Sequence, residues 1–288
     1  MTTYLGVDLG GTQLRMAGVD ATGALTTEVH SLPTGRGFGA EELASGLKAL
    51  YERVSAVVDD SYVASLGIGT PGVIVNDTIA QSDNLPALNG CNLRNIALKA
   101  VPLPVQVEND ANCFSLAEAR FGAGHGAKIV CGITLGTGIG CGVIIDGRVH
   151  HGAHCEAGEV YRIPVRGKHL EYFLAGAGIV RGYEHAISDA GASPVGLFDA
   201  AQIGELARQG DAAALKAWQS FVEDLHFICE CIMSLIDPEV IVIGGSLARA
   251  ADIFGDELRR RVAGRSSQIG FAELGTAAGV IGAAALGF

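Results

Sequence analysis

Tyr4-Leu5-Gly6-Val7-Asp8-Leu9-Gly10-Gly11-Thr12 is an apolar strand running into a glycine turn, and its layout returns later as Thr134-Leu135-Gly136-Thr137-Gly138. The offset is about 126 residues, and the copies agree in layout more than in identity. Beyond the first turn lies a second strand, Leu14 to Val19, and Asp20-Ala21-Thr22-Gly23 then turns the chain into a third, Thr26 to Leu32, giving an antiparallel meander. Around the second copy, Lys128 to Leu135 reads as a strand, Gly136 to Gly140 as a turn, Cys141 to Ile145 as a strand and Asp146-Gly147 as a further hairpin turn. A duplicated sheet-and-helix domain is the simplest explanation.

The intervening segments fill out an α/β chain. Leu43, Leu47, Leu50, Val54 and Val57 recur at helical steps and predict an amphipathic helix over Glu41 to Val58. Val63 to Gly69 reads as a strand, Val73 to Ile79 as a hairpin, Leu93 to Lys99 as a short helix, Val105 to Glu108 as a strand and Ala111 to Phe121 as a helix. Helical patterns follow over Leu170 to Ala190, Asp199 to Arg208, Asp211 to Ile236 and Ala250 to Val262, with a strand at Val240 to Ile243. Thr276 to Leu286 is apolar nearly all round, so it is expected to be buried, between the two halves. The expected domains are 1–109 with the C-terminal helix 276–288, and 110–275.

Composition narrows the function. With 288 residues and 49% hydrophobic content the chain can bury a large core. A formal net charge of -11 with scattered Lys and Arg argues against nucleic acid. Arg259-Arg260-Arg261 reads as a helix C-terminus, where cations complement the dipole. No apolar stretch reaches the roughly 20 residues that span a bilayer, and the start leads into a strand without a signal-like segment. A cytoplasmic location without membrane association is expected. Seven cysteines without regular spacing fit reduced thiols.

Val107-Glu108-Asn109-Asp110-Ala111-Asn112 carries the candidate chemistry. A carboxylate at the carboxyl end of a buried strand sits where open α/β sheets bind ligands, which makes Asp110 a candidate general base. The same position also suits a helix N-cap. Each glycine turn exposes backbone N–H groups, and Thr12 or Thr137 adds a hydroxyl, a combination that suits phosphate oxygens. Asp8, at its strand end, can hold magnesium through water or bond within the turn. Gly67-Ile68-Gly69-Thr70-Pro71-Gly72 matches G-x-G-x-x-G, but Pro71 and the apolar run after it predict a hairpin and no dinucleotide helix. Gly244-Gly245-Ser246 resembles a nucleophile elbow, yet His226 is the last His, which excludes the usual hydrolase order. No Walker A motif occurs. His150, His151, His154 and Cys155 form one metal-like cluster and His226, Cys229 and Cys231 another, but neither has zinc-like spacing.

Taken together, Asp8-Leu-Gly-Gly-Thr12, Gly69-Thr-Pro-Gly72, Asn84-Leu-Pro, Glu108-Asn-Asp-Ala-Asn112, Leu135-Gly-Thr-Gly-Ile-Gly140, Gly152-Ala-His154, Ala157-Gly-Glu159 and Ile243-Gly-Gly-Ser246 resemble the sugar kinases of the ROK (repressor, open reading frame, kinase) family nearly end to end. The resemblance implies a two-domain actin-like, ribonuclease-H-like ATPase fold with an interdomain cleft, using ATP and Mg2+ to phosphorylate a hexose, with the 6-hydroxyl as expected acceptor. It implies Asp110 as the base, Asn84, Asn109, Glu159, Glu171 and Gly72 around the sugar, and Asp8, Gly10, Gly11, Thr12, Gly136, Thr137, Gly138, Gly244 and Gly245 around ATP. It also implies a homodimer. The chain departs from the family where a His and a cysteine-rich zinc loop usually follow Ala-Gly-Glu. Here Arg162 stands instead, no Cys occurs between Cys155 and Cys229, and only twelve positions separate Glu159 from Glu171. No structural zinc is expected, and Arg162 is a candidate for altering sugar preference. Two alternatives share the family: a sugar-sensing repressor, which would carry an N-terminal DNA-binding domain where this chain starts its strand at Tyr4, and a catalytically weak sugar-binding protein.

Overall fold

The structure, a computed structural model, describes residues 2–58, 62–191, 196 and 198–288. The chain forms two compact units, Met1–Gly126 with Gly142–Ala157 and Glu273–Phe288, and Ala127–Cys141 with Gly158–Ala272. The first unit thus takes in the helix after Asn109 and residues 142–157, both of which the sequence reading assigned to the second domain.

The first unit holds a five-stranded sheet of β1 (Thr3–Leu9), β2 (Gln13–Asp20), β3 (His30–Pro33), β4 (Val63–Thr70) and β7 (Val105–Asn109), in the order β3-β2-β1-β4-β7. β1 runs antiparallel to β2 and parallel to β4, and β4 runs parallel to β7. A small hairpin pairs β5 (Val73–Val75) with β6 (Thr78–Gln81), as the Pro71 reading predicted. β3 is shorter than expected because Gly18 donates its N–H to the Thr27 hydroxyl, 2.9 Å away, in place of a strand carbonyl. Strand alternation gives the sheet two different faces. Leu5, Val7, Leu9, Leu66 and Ile68 pack in one core with Leu43, Leu47, Leu50 and Val54 of α1 (Ala40–Ser55) and Leu93 and Ala97 of α2 (Leu93–Ala100).

The other face is built from glycines. A Cβ on Gly6 would overlap the Val280 carbonyl, and one on Gly67 the Ala283 carbonyl, so the backbone of α9 (Ala278–Ala285) lies directly on β1 and β4. Gly282 in turn lets α9 meet the backbone of Cys113 in α3 (Asp110–Phe121). The terminal helix is therefore buried inside the first unit, the domain to which the sequence reading assigned it. Its small residues suit backbone-to-backbone contact.

A second five-stranded sheet holds β8 (Ile129–Leu135), β9 (Ile139–Ile145), β10 (Arg148–Val149), β13 (Val240–Gly244) and β14 (Gln268–Phe271), in the order β10-β9-β8-β13-β14. The unit boundary falls within β9, after Cys141. β13 runs parallel to both β8 and β14. Each five-stranded sheet thus has the order third, second, first, fourth, fifth, the topological form of the duplication. The fifth strand here, β14, was not anticipated, since Gln268-Ile269-Gly270-Phe271 is short and carries no turn signal. Pro164–Val165 (β11) and Lys168–His169 (β12) form a further hairpin.

Helices α4 (Glu171–Leu174), α5 (Gly176–Asp189), α6 (Ala200–Arg208), α7 (Ala212–Leu235) and α8 (Ala251–Arg261) belong to the second unit. Trp218, Phe221, Phe254 and Phe271 form an aromatic cluster in its core, with Trp218 and Phe254 stacked at 5.8 Å. The predicted helix over Leu170 to Ala190 is broken at Ala175, whose ψ of 166° is extended. The break turns the Gly176 N–H onto the Gly136 carbonyl, 2.8 Å away.

Candidate functional site

In the first unit the turn from β7 into α3 presents Asp110. The N-cap is Asn109, whose Oδ1 accepts from the N–H groups of Ala111 at 2.8 Å and Asn112 at 3.2 Å. Asp110 is the first helical residue, half-buried, and its Oδ1 accepts from Ala111 N–H at 2.9 Å. The competing reading of Asp110 as a cap is thus taken over by its neighbour. Asn109 Nδ2 donates to the Gly72 carbonyl at 3.0 Å, which ties the turn to the loop after β4. Gly72 has φ +114° and its Cβ position is filled by Gln81 and Ser82, so glycine is required there.

The first glycine turn lies beside Asn84. A Cβ on Gly11 would come within 3.2 Å of the Asn84 Cβ and 3.3 Å of its carbonyl oxygen. Gly10 donates its N–H to Gln13 within the hairpin, and Thr34 donates to the carbonyls of Thr12 and, through its hydroxyl, Gly10. Asp8 is paired across the strands with Arg15, Nη1 to Oδ2 3.2 Å, and Arg15 Nη2 also donates to the Thr276 carbonyl at 2.7 Å. Burial raises the Asp8 carboxyl above the usual range, and the Arg15 charge and hydrogen bond oppose the shift. Cys113, buried beneath, has its thiol pushed well up by burial and then by Glu108, Asp110 and Asp8, so these carboxylates share one neighbourhood.

Glu108 and His151 were given no joint role by the sequence reading. Glu108 is buried, and its Oε1 accepts from Asn109 N–H at 2.8 Å and Asn112 Nδ2 at 2.9 Å. Its Oε2 lies 2.6 Å from His151 Nε2. The bond to Glu108 raises the His151 pKa, against a smaller opposing effect of burial. No sequence signal joins the two, because 43 positions separate them.

In the second unit the second glycine turn meets Glu171. Glu171 Oε2 accepts from the Ile139 N–H at 3.2 Å and fills the space a Cβ on Gly138 would need. Gly136 donates to Gly138 and accepts from Gly176. Gly245, at φ +85°, lies on the Leu135 backbone where no Cβ fits, and a Cβ on Gly136 would be 3.3 Å from Ser246 Oγ. The Gly244-Gly245 turn and the Gly136–Gly138 turn are therefore neighbours. Glu159, half-buried, precedes the short 3-10 turn Val160–Arg162. Arg162 donates from Nε to the Tyr161 hydroxyl at 2.8 Å and lies over that ring. Among the described residues no cluster of three or more His, Cys, Asp or Glu could hold a metal ion. Of the proposed metal-like groups, His151 is bonded to Glu108 and His226 approaches Glu230 at 3.7 Å.

Among known proteins, the chain is 31% identical to the glucokinase of Halalkalibacterium halodurans, over 97% of this chain and 93% of that one. It is 29% identical to the N-acetylgalactosamine kinase AgaK of Shewanella sp., over 99% and 96%. Among solved structures, a ROK family glucokinase from Streptomyces griseus in complex with glucose and AMPPNP superposes with a TM-score of 0.80 at 27% identity, covering 99% of this chain and 98% of that one. The fold is accordingly the mixed α/β, two-domain, actin-like ATPase fold of ROK sugar kinases. The ROK family pattern itself matches residues 4–287, so the chain belongs to the ROK family.

Proposed function

We propose that the protein is an ATP- and magnesium-dependent carbohydrate kinase that transfers the γ-phosphoryl group to a hexose hydroxyl, the 6-hydroxyl, with Asp110 as general base. The observation that carries this reading is the Asp110 turn: a partly exposed carboxylate fixed on a capped helix start, within a neighbourhood that also holds Asp8. Relatives named as kinases of glucose and of an N-acetylated amino sugar support the substrate class.

Phosphoryl transfer has a loose transition state, so the residues mainly have to position the hydroxyl and meet phosphate charge. The sugar hydroxyl would donate to the Asp110 carboxylate and pass its proton there as the bond to phosphorus forms. Asn84, Asn109, Glu159 and Glu171 would hold the remaining hydroxyls, Asn109 through the amide N–H not given to Gly72. With Gly10 N–H engaged in its hairpin, phosphate oxygens at the first turn would meet Gly11 and Thr12. Asp8 suits magnesium held through water, being partly exposed and bonded to Arg15 through Oδ2. When bound, that ion supplies charge neutralisation on the phosphates.

The test is ADP release with ATP and magnesium across glucose, fructose, mannose and N-acetylated hexosamines, beside Asp110→Asn. Turnover on one sugar, reduced at least about a hundredfold in the variant, the low end for a positioned base, is expected. An Asp110→Asn enzyme as fast as wild type would remove Asp110 from the base role.

A further inference from the structure

We infer that His151 is a positioning residue for the phosphoryl transfer: with Glu108 it latches the 142–157 segment onto the turn that presents Asp110, and so fixes the carboxylate that takes the sugar's proton. The inference rests on the reading of Asp110 as the base.

Glu108 is a buried carboxylate, and such a group is stable only when its lone pairs are well met. Its two oxygens are divided between two jobs. Oε1 braces the first turn of α3 through Asn109 N–H and Asn112 Nδ2, on either side of Asp110. Oε2 takes the His151 ring at 2.6 Å, a charge-assisted distance, while about half of the His151 side chain faces solvent. His151 lies two positions past the end of β10, and the N–H of the intervening His150 is bonded to the Val143 carbonyl at 2.8 Å, so the ring is delivered from an ordered hairpin. A partner that only neutralised Glu108 could as well have been Lys or Arg. A His in its place makes the brace depend on pH.

Asp110 and Cys113 from α3 and Asp8 from β1 share the neighbourhood of Glu108, and His150 precedes His151 in the chain. Of these carboxylates Glu108 is the one that favours the imidazolium, through its hydrogen bond and its charge. Because the bond to Glu108 raises the His151 pKa, the brace is at full strength below the ordinary His value of about 6.5 and loses its charge assistance as pH rises through the raised value.

The experiment compares wild type with His151→Ala and His151→Gln, reading sugar kcat, both KM values and the pH profile, together with amide hydrogen exchange at Ala111 and Asn112. In His151→Ala, kcat is expected to fall about tenfold, the size of one charge-assisted hydrogen bond, with the KM for ATP unchanged and the alkaline decline flattened. His151→Gln, which keeps a neutral donor, should restore most of kcat at neutral pH without restoring the alkaline decline. Exchange at Ala111 and Asn112 should quicken in the Ala variant. A His151→Ala enzyme with wild-type kcat and pH profile would overturn the inference. If wild type phosphorylates no sugar, the kinase reading fails by itself, and unchanged exchange at Ala111 and Asn112 would then overturn the latch on its own terms.

Discussion

Asn109 spends most of its side chain on backbone. Oδ1 caps α3 twice and one N–H of the amide holds the Gly72 carbonyl, so a single residue sets both the direction of Asp110 and the position of the loop after β4. Asn109→Ala is expected to cost about 1–2 kcal/mol of stability through the lost cap, read by thermal unfolding, and to lower kcat more than that loss alone would. An Asn109→Ala protein with wild-type unfolding would show that the cap is not holding the turn. At this scale the sequence was a partial guide. Glu108-Asn109-Asp110 marks the right turn, and Asn and Asp both favour caps, but which of the two does the capping is decided by the backbone entering α3. The His151 contact was beyond reach, since nothing local couples a ring on one hairpin to a carboxylate on a distant strand.

The β11–β12 hairpin shows how an element too short to stand alone is held. Strands of two residues cannot sustain a ladder. The turn between them places Arg166 at φ +46° and Gly167 at φ +76°, and the Arg166 guanidinium reaches the buried Asp224 of α7 at 2.6 and 2.7 Å while lying 4.0 Å over the Phe173 ring. Leu170 and Glu171 follow at once, so the staple fixes the approach to the carboxylate that braces Ile139. Arg166→Ala should destabilise by about 2–3 kcal/mol, because the buried Asp224 loses its partner while the Arg end remains partly hydrated. A double-mutant cycle with Asp224→Asn checks this, and purely additive losses would discard the staple. Helices and strands with strong periodicity were legible, as α1 and α7 illustrate. The hairpin and β14 were not, because four residues carry no period, and the break at Ala175 comes from a bond to Gly136 that no helix pattern encodes.

For the molecule as a whole, the duplicated glycine turns did foretell the duplicated sheet order, whereas the place of the terminal helix did not follow from its apolarity. What places it is the glycine surface at Gly6, Gly67 and Gly282. Gly6→Ala should therefore cost about 3 kcal/mol through overlap with Val280, whereas Gly35→Ala, with open space around it, should lie within about 1 kcal/mol of wild type. Equal unfolding midpoints for the two variants would contradict the packing described.

The path into that helix is pinned by Glu118, fully buried, which accepts from the N–H groups of Glu273 and Leu274. This has a consequence for biosynthesis. The unit that begins at the first residues lacks one layer until residues 273–288 have left the ribosome, whereas everything the other unit needs has already been made. The half whose synthesis starts first is completed only after the other, and its glycine face waits for a helix that follows every residue of the second unit.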